Sequence, residues 1–488
     1  MLKKKMNVAV ASIKILAGAA FAFLASAAVA GSSDIKIEPK ADTHSIAQEI
    51  EGNWGGTLAG TLRLILHVKK SPSGEYTAVM ESVDQGNAMI PVDKLEVTAD
   101  HLILSATTVH GSFDAKWDDK AKAWAGTWTQ GQGMPLTLSR TNGDIPRPRR
   151  PQEHAIETAP LPYGQQAVTF DGGNANVKLA GTFSTPKGEG PFPAVVLIAG
   201  SGPNTRDEGV AGHKVFLVLS DYLTKRGIAV LRYDKRGVDQ STGDYKSATT
   251  AEFTSDAEAA FTYLRSRADV DVRHIGLIGH SEGGEIVPAV AANDAKVSFI
   301  VLLAGPAIRG DKLLAEQIYL IDKASGVPED HGTISRKINE EIFTAIAEAA
   351  NESEAKLKAE AIFDKAVEDH KIFGDVAQTK AAGFSQLSTP WMRYFLSYDP
   401  VPALRQVKVP VLALNGSLDL QVPPKDDLAA MRDALSNNKD VTVMELANLN
   451  HLFQAASTGS PTEYAVIEET INPIALNVIG DWVSAHTK

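Results

Sequence analysis

Six apolar runs between residues 192 and 447 constrain the fold of this chain more than any other feature. Each run is rich in valine, isoleucine and leucine, and several are separated by segments with helical periodicity. The runs are FPAVVLIAG (192–200), GIAVLRYD (227–234), HIGLIGHS (274–281), VSFIVLLAG (297–305), VPVLALNG (409–416) and VTVMELA (441–447). Strands that are apolar throughout and alternate with helices predict an α/β domain with a mostly parallel, doubly wound sheet that is buried on both faces.

This α/β domain is predicted to extend over residues 163–488 and to begin with a β-hairpin at 167–186. The stretch from about 306 to 400 interrupts the alternation, because it is rich in alanine, glutamate and lysine and has helical periodicity without a strand. We expect it to form a helical insertion, a lid above the carboxyl ends of the strands, where α/β enzymes place their sites.

The region before this domain has a different pattern. Residues 49–141 contain short alternating runs, with turn residues about every ten positions. That spacing predicts a small all-β module, either a barrel or a sandwich. Its tryptophans Trp54, Trp124 and Trp128 are expected in the core or rim rather than in a platform for a ligand. Residues 142–162 are rich in proline and arginine and predict a linker.

The N-terminus has the features of an export signal. Lys3, Lys4 and Lys5 precede an apolar, alanine-rich segment, and Ala28-Val29-Ala30 is a small-x-small cleavage site. We predict cleavage of residues 1–30 after Ala30, a polar leader over 31–48, and an exported protein that is periplasmic or secreted. No later segment is long and apolar enough for a transmembrane helix, so no stable membrane insertion is expected after cleavage.

Charge and composition exclude several classes of partner and chemistry. The formal net charge of −11 over 488 residues argues against nucleic acid as a partner. The chain has no cysteine, which excludes disulfides, thiolate nucleophiles and cysteine metal sites. It also has no His-Glu-x-x-His pair or histidine-rich tract that would suggest zinc. The serine chemistry described below needs no metal or cofactor, and none is expected. The oligomeric state is left open.

A Gly-x-Ser-x-Gly motif, GHSEG at 279–283, follows the third apolar run directly. A serine hydroxyl needs a base to remove its proton, and that base needs a third group to fix its tautomer. Asp419 follows the strand predicted at 409–416, and His451 follows the next strand. The chain order serine, acid, histidine is the one that a serine on a strand-to-helix turn requires in an α/β sheet. We therefore predict Ser281 as nucleophile, His451 as base and Asp419 as the orienting acid.

Other residues compete for these roles. Asp399, Asp426 and Glu445 are also near strand ends, but Asp399 precedes its strand and Asp426 lies at the start of a helical pattern. His280 adjoins Ser281, yet adjacent side chains on a sharp turn diverge, so it is expected to be a poor base.

An oxyanion needs backbone N–H donors that are in place before the charge develops. The amide of Glu282, directly after the serine, is one predicted donor, because it begins a helix. The other should come from the loop AGSGPNTRD (199–207), where Ser201 is the first choice and Gly202 the second.

From residue 163 to the end, the chain resembles the α/β-hydrolase superfamily, and most closely exported bacterial serine esterases with a prolyl-oligopeptidase- or dienelactone-hydrolase-like catalytic domain. The matching stretches are AGSGPNTRDE, YLTKRGIAVLRYDKRGVDQSTGDY, IGLIGHSEGGEIVP, STPWMRYFLSYDP, VPVLALNGSLDLQVPP and NLNHLFQ. Ala199 departs from the histidine that many relatives carry at that position. Arg236, in DKRG, is interpreted as a scaffold residue. The all-β region resembles the lipocalin-like modules that precede such domains.

Three hypotheses for function follow. The first is a serine esterase that cleaves small-molecule carboxylic esters with a small or medium acyl group through an acyl-enzyme. The second is an exported serine peptidase or amidase with the same triad, in which acids such as Glu282 and Glu285 would hold a substrate ammonium. The third is a scaffold that only binds, because a fold alone does not establish catalysis.

Overall fold

The computed structural model describes residues 34–37, 50–58, 62–71, 76–83, 88–98, 100–109, 111–130, 132–142, 149–174, 176–371, 387 and 389–488. These residues form two compact units. The N-terminal unit extends to residue 149 and includes 210–213, and the C-terminal unit consists of 150–209 and 214–488. The predicted export signal and most of the predicted leader lie outside the described residues.

The N-terminal unit is built from one β-sheet. In the part of the chain that the structure describes, its ten strands have the order β1-β6-β7-β8-β9-β10-β2-β3-β4-β5. Their bounds are β1 Asp34–Ile37, β2 Gly52–Leu58, β3 Leu62–Lys70, β4 Tyr76–Ser82, β5 Ala88–Pro91, β6 Lys94–Val97, β7 His101–Ala106, β8 Gly111–Asp118, β9 Ala123–Gln130 and β10 Gln132–Thr141. Only a short connection joins Pro91 of β5 to Lys94 of β6, although β5 is at one end of this strand order and β6 is second from the other end. The sheet must therefore curl until its two sides approach each other.

Tryptophans form the centre of the N-terminal unit. Trp54, Trp124 and Trp128 are all buried, which confirms that they belong to the core. The rings of Trp54 and Trp117 meet edge to face with centroids 6.1 Å apart, and those of Trp117 and Trp124 do so at 5.1 Å. Such edge-to-face pairs add to the stabilisation that burial of the rings provides.

A second sheet organises the C-terminal unit. Its eight strands in the described residues have the order β11-β12-β16-β13-β17-β18-β19-β20, and every pair from β16 onwards is parallel. The bounds are β11 Gly164–Asp171, β12 Lys178–Thr185, β13 Phe192–Ile198, β14 Gly209–Val210, β15 His213–Lys214, β16 Ala229–Tyr233, β17 Val270–His280, β18 Phe299–Leu303, β19 Val411–Gly416 and β20 Val441–Leu446, of which β14 and β15 lie outside this sheet. The predicted hairpin and all six predicted apolar strands are confirmed.

Helices cover both faces of this sheet. Their bounds are α1 Pro151–Thr158, α2 Val215–Lys225, α3 Thr250–Arg265, α4 Glu282–Asn293, α5 Gly310–Ala324, α6 Glu329–Ala347, α7 Glu352–Glu368, α8 Pro390–Ser397, α9 Val401–Gln406, α10 Pro424–Ala434, α11 Pro461–Tyr464 and α12 Pro473–Ala485. No described helix is long and apolar enough to cross a membrane.

The predicted linker over 142–162 differs from the structure in its second half. Residues 151–158 form α1, with Pro151 at its first turn, where proline's fixed φ favours a helix. The Arg150 guanidinium donates hydrogen bonds to the carbonyls of Ala465 and Ile467 at 2.7 and 2.9 Å. These bonds tie the segment to the C-terminal unit, so this part is folded rather than a free connection.

The described residues between β18 and β19 contain helices and no strand. Helices α5 to α8 share an apolar cluster of their own that includes Ile342, Phe343, Phe363 and Leu396. This cluster explains how a long insertion can be stable beside the main core, since each helix buries an apolar face against its neighbours.

Candidate active site

Ser281 lies on a strained turn between β17 and α4. Its φ of 53° and ψ of −117° are unusual for a residue with a side chain. Its amide donates to the Leu303 carbonyl of the neighbouring strand at 2.9 Å. The turn therefore holds the serine at the carboxyl edge of the sheet, in the geometry of a nucleophile elbow.

Glycines around Ser281 permit this turn because the backbones approach too closely for side chains. A Cβ on Gly279 would lie 2.0 Å from the Gly283 carbonyl oxygen, and one on Gly283 would lie 2.0 Å from the Ile198 carbonyl oxygen. Gly284 similarly packs against Gly305. Residues with a side chain therefore do not fit at positions 279, 283 and 284 without a shift of the backbone.

His451 and Asp419 form a buried pair on neighbouring loops. His451 Nδ1 lies 2.9 Å from Asp419 Oδ2, and the two side chains are 5% and 0% exposed. The other carboxylate oxygen, Asp419 Oδ1, accepts hydrogen bonds from the amides of Gln421 and Val422 at 2.8 and 2.9 Å. These bonds fix the carboxylate, which in turn holds the proton of His451 on Nδ1 and leaves Nε2 able to act as a base.

The structure brings the loops of Ser281 and His451 to the same edge of the sheet. The ring of His280, the residue before Ser281, lies 4.9 Å from the ring of His451, measured between centroids. Among the described residues, the Ser281 hydroxyl makes no hydrogen bond. Nucleophile–base hydrogen bonds are often longer before substrate binds than during catalysis.

The competing acids lie elsewhere. Asp399, Asp426 and Glu445 are exposed, and Asp426 is in the first turn of α10, as its sequence context indicates. Of the four candidates, only Asp419 is hydrogen-bonded to His451.

The predicted amide donors lie beside the serine turn. A Cβ on Gly200 would be 3.1 Å from the Cβ of Ser281, so the backbone leading into Ser201 passes against the serine. Gly202, the second choice, has a φ of 102°, which turns the loop sharply. Within the described part of the chain, the amides of Ser201 and Glu282 have no hydrogen-bond acceptor, and both are therefore available to a substrate oxygen.

His280 has partners that sequence reasoning missed. Its Nδ1 lies 3.0 Å from Glu208 Oε1, and its Nε2 lies 3.0 Å from the His451 carbonyl oxygen. Burial lowers the pKa of His280, but the charge and hydrogen bond of Glu208 outweigh it, so the pKa is raised overall. The same Glu208 oxygen accepts the Gly200 amide at 2.6 Å. The sequence signal that could have revealed this pair is Glu208, an acid in the loop after β13.

Sequence reasoning also missed the structural role of the Glu282 side chain. It is buried beneath the turn, where Oε2 accepts from Lys235 Nζ at 2.8 Å. Its other oxygen, Oε1, accepts from Thr250 Oγ1 at 2.7 Å and from Trp391 Nε1 at 2.6 Å. Trp391 belongs to α8, so the helical insertion is hydrogen-bonded to the residue that follows Ser281.

Comparison with known proteins agrees with this geometry. A family model described as serine aminopeptidase, S33, matches residues 209–383, a segment that contains Ser281 and ends in the insertion. The match agrees with the mostly parallel sheet and with the serine turn after β17. The C-terminal unit has the α/β-hydrolase fold.

Two curated relatives are similar to this chain. Esterase EstD of Thermotoga maritima is 28% identical over 309 residues, which make up 62% of this chain and 64% of that esterase. An uncharacterised 31.7 kDa protein from the traX-finO intergenic region of Escherichia coli is 26% identical over 269 residues, or 54% of this chain and 85% of that protein. This chain thus spans slightly less than two thirds of the length of the esterase.

Solved structures also align with this chain. The Pyrococcus furiosus esterase Pf2001 is 15% identical, with 67% of this chain and 91% of that chain covered and a TM-score of 0.43. A dienelactone hydrolase from Anabaena variabilis is 16% identical, with 67% and 100% covered and a TM-score of 0.37. Because both scores are low, the fold assignment rests on the strand order and the serine turn.

Two buried acids lie near the site without a cationic partner in the described residues. Burial, reinforced by the negative charges of Glu282 and Asp427, raises the pKa of Glu285 well above its usual range. Burial also raises the pKa of Asp427 to about 7, although hydrogen bonds from backbone amides oppose the shift. Glu285 therefore favours its neutral form near neutral pH, whereas Asp427 changes its charge in this range.

Arg236 has the scaffold contacts that its motif indicates. Its guanidinium binds both carboxylate oxygens of Asp256 on α3, at 2.7 and 2.8 Å, and both side chains are buried. This bidentate pair fixes the loop after β16 against α3.

Proposed function

We propose that this protein is a serine hydrolase that cleaves carboxylic esters of small molecules through an acyl-enzyme. Ser281 attacks the ester carbonyl while His451 removes its proton. His451 then donates that proton to the leaving alcohol and afterwards activates the water that hydrolyses the acyl-enzyme. Asp419 orients His451 and stabilises its cation.

The observation that carries this proposal is the buried hydrogen bond between His451 and Asp419 at the sheet edge that bears Ser281. A histidine whose Nδ1 is held by a carboxylate presents Nε2 as a base. The strained φ of Ser281 adds support, because unfavourable backbone geometry in a residue with a side chain concentrates at functional sites.

The amides of Ser201 and Glu282 are the proposed oxyanion donors. They flank Ser281, and the α4 N-terminus adds the favourable end of a helix dipole at Glu282. Trp391 holds the Glu282 side chain from α8. This contact supports a role for the helical insertion as a cover over the site.

Two features favour esters as substrates. The esterase of Thermotoga maritima is the relative with a named activity among the curated proteins reported above. A peptidase that acts on free N-termini would require an accessible carboxylate for the substrate ammonium. Glu282 and Glu285 are each only 2% exposed, and Glu282 is already paired with Lys235. Neither acid can therefore fulfil that role.

The test compares the wild type with Ser281→Ala on p-nitrophenyl acetate and butyrate, with aminoacyl-p-nitroanilides as the amide panel. We expect loss of ester hydrolysis by at least roughly 10³-fold and loss of labelling by a fluorophosphonate probe. Ser436→Ala, at an exposed serine, is the matched control and should keep full activity. Unchanged ester turnover in Ser281→Ala would reject the proposal, and faster turnover of the anilides would favour the peptidase alternative.

We also propose that the protein is exported and cleaved after Ala30. The basic start at Lys3 to Lys5, the apolar segment and the Ala28-Val29-Ala30 site support this. Mass spectrometry of the mature protein from its native host should find an N-terminus at Gly31. An intact Met1 on the mature chain would contradict export by this route.

A further inference from the structure

Glu208, His280 and the His451 carbonyl form a continuous buried chain of hydrogen bonds. Glu208 and His280 are 1% and 3% exposed. His280 Nδ1 lies 3.0 Å from Glu208 Oε1, and His280 Nε2 lies 3.0 Å from the His451 carbonyl oxygen. Glu208 also accepts the amide of Gly200. These hydrogen bonds thus join three segments, which are the loop after β13, the serine turn and the loop that carries His451.

The chemistry of these contacts fixes where the protons lie. A carbonyl oxygen only accepts, so the bond to His451 requires a proton on His280 Nε2. Glu208 Oε1 can accept from the Gly200 N–H and from His280 Nδ1 at the same time, and with Glu208 as a carboxylate Nδ1 also carries a proton. An imidazole with protons on both nitrogens is an imidazolium. The raised pKa of His280 agrees with this reading.

We infer that His280 is a buried imidazolium which, paired with the Glu208 carboxylate, positions the three loops that carry the proposed esterase machinery. This inference rests on the proposed function. Each loop supplies one group: Gly200 leads into the Ser201 amide, His280 precedes Ser281, and the His451 carbonyl belongs to the proposed base. His280 and Glu208 are positioning residues, since neither is proposed to touch the substrate.

The charge of His280 has a second consequence. Its ring lies 4.9 Å from that of His451, which has Asp419 on its own Nδ1. The charged groups that face His280 are Glu208, on the loop after β13, and Asp419, on the loop after β19. A cation at this distance opposes the positive charge that His451 gains when it removes the Ser281 proton, and it favours the later transfer of that proton to the leaving alcohol.

The charge state can be measured directly by NMR on the full-length protein with 15N-labelled histidine rings. His280→Gln assigns the signal. We expect both His280 ring nitrogens to show the shifts of an imidazolium at pH 7, and Glu208→Gln to convert the ring to a neutral form. Neutral-imidazole shifts for His280 in the wild type at pH 7 would overturn the inference.

The positioning role is tested by kinetics with p-nitrophenyl butyrate. His280→Gln and Glu208→Gln should lower kcat by roughly 10- to 100-fold with little change in KM, because the reacting groups lose their alignment. In His280→Gln the pH dependence of kcat/KM should also change, because a charged group beside the proposed base is replaced by a neutral one. A purely structural defect would not change this dependence.

A second glutamate–histidine pair in the N-terminal unit provides matched controls. His67 Nε2 lies 2.8 Å from Glu81 Oε2. His67→Gln and Glu81→Gln should leave kcat and the pH profile unchanged. Full kcat and an unchanged profile in both active-site variants would overturn the positioning role. Full activity in Ser281→Ala would instead reject the proposed function, while the NMR result would still decide the charge of His280.

Discussion

Lys235 and Glu282 form an ion pair buried directly beneath the turn that carries Ser281. Lys235 Nζ lies 2.8 Å from Glu282 Oε2, and the side chains are 5% and 1% exposed. Thr250 and Trp391 complete the hydrogen bonds of the carboxylate. The side chain of Glu282 thereby anchors the backbone amide proposed to hold the oxyanion, and the pair links β16, α3, α4 and α8 at one point.

Replacing Lys235 should therefore be costly. Lys235→Met leaves the Glu282 carboxylate buried without its cation, and we expect a loss of roughly 3–5 kcal/mol in the free energy of unfolding, measured by urea denaturation. Lys235→Met/Glu282→Gln should recover part of this loss, because the uncompensated charge is removed. The control is Lys225→Met, because Lys225 is the half-exposed last residue of α2 and the loss of its ion pair with Asp221 should cost at most about 1 kcal/mol. Equal losses in the two single variants would contradict the importance of the buried pair.

Trp391→Phe tests the contact between the insertion and the serine turn. Phenylalanine can keep the stacking on Phe395 but cannot donate to Glu282. We expect a loss of roughly 1.5–3 kcal/mol in unfolding free energy and a kcat lowered by up to roughly 10-fold, because the Glu282 amide is held less firmly. The control is Trp482→Phe in α12, which also replaces an indole by a phenyl ring and should leave kcat unchanged. If both variants keep full kcat, α8 does not position the amide.

Asp419→Asn should lower kcat for p-nitrophenyl butyrate by roughly 10³- to 10⁴-fold. The asparagine amide can donate to His451 Nδ1, which would favour the tautomer that cannot act as a base at Nε2. Thermal unfolding should confirm that the variant is folded. Asp426→Asn changes an exposed acid of α10 and should be fully active. Activity near that of the wild type in Asp419→Asn would require another acid for His451.

The buried carboxyl of Asp427 predicts a pH dependence of stability. Its pKa is raised to about 7, so the folded protein binds a proton that the unfolded chain releases near pH 4. Stability should therefore fall as the pH rises from about 4 to 7, and the full penalty, up to about 4 kcal/mol, should be present above that window. Glu285, whose pKa is also raised, acts in the same direction.

Asp427→Asn checks this sign. An asparagine can still accept the hydrogen bond from the Ala307 amide through Oδ1 but carries no charge. Unfolding free energies measured from pH 4 to 9 should show the variant more stable than the wild type above pH 7, with a smaller slope below it. Asp433→Asn, which removes an exposed acid of the same helix, should follow the wild-type curve. A variant that is less stable at every pH would show that Asp427 is needed as a carboxylate.

Local patterns in the sequence were enough to predict much of the C-terminal unit. Continuous apolar runs identified its parallel strands, because a strand buried on both faces needs apolar side chains on both faces. The glycines at 279 and 283 indicated the tight turn, since only glycine fits where two backbones meet. The order of Ser281, Asp419 and His451 followed from the strands that precede them. The helix at residues 151–158 could not be predicted from local patterns in the same way. The hydrogen bonds that hold its N-terminus join Arg150 to carbonyl groups more than 300 positions away in the chain.

Only the tertiary structure decided which side chains meet. Lys235 and Glu282 are 47 positions apart, and Glu208 and His280 are 72 apart. No local periodicity encodes such pairs, because they depend on how neighbouring strands bring their following loops together at the edge of the sheet. The sequence by itself determined the strands, the serine turn and the candidate residues. The packing of the sheet and helices determined the buried charges around them, since burial and the distance between charges exist only once the chain is folded.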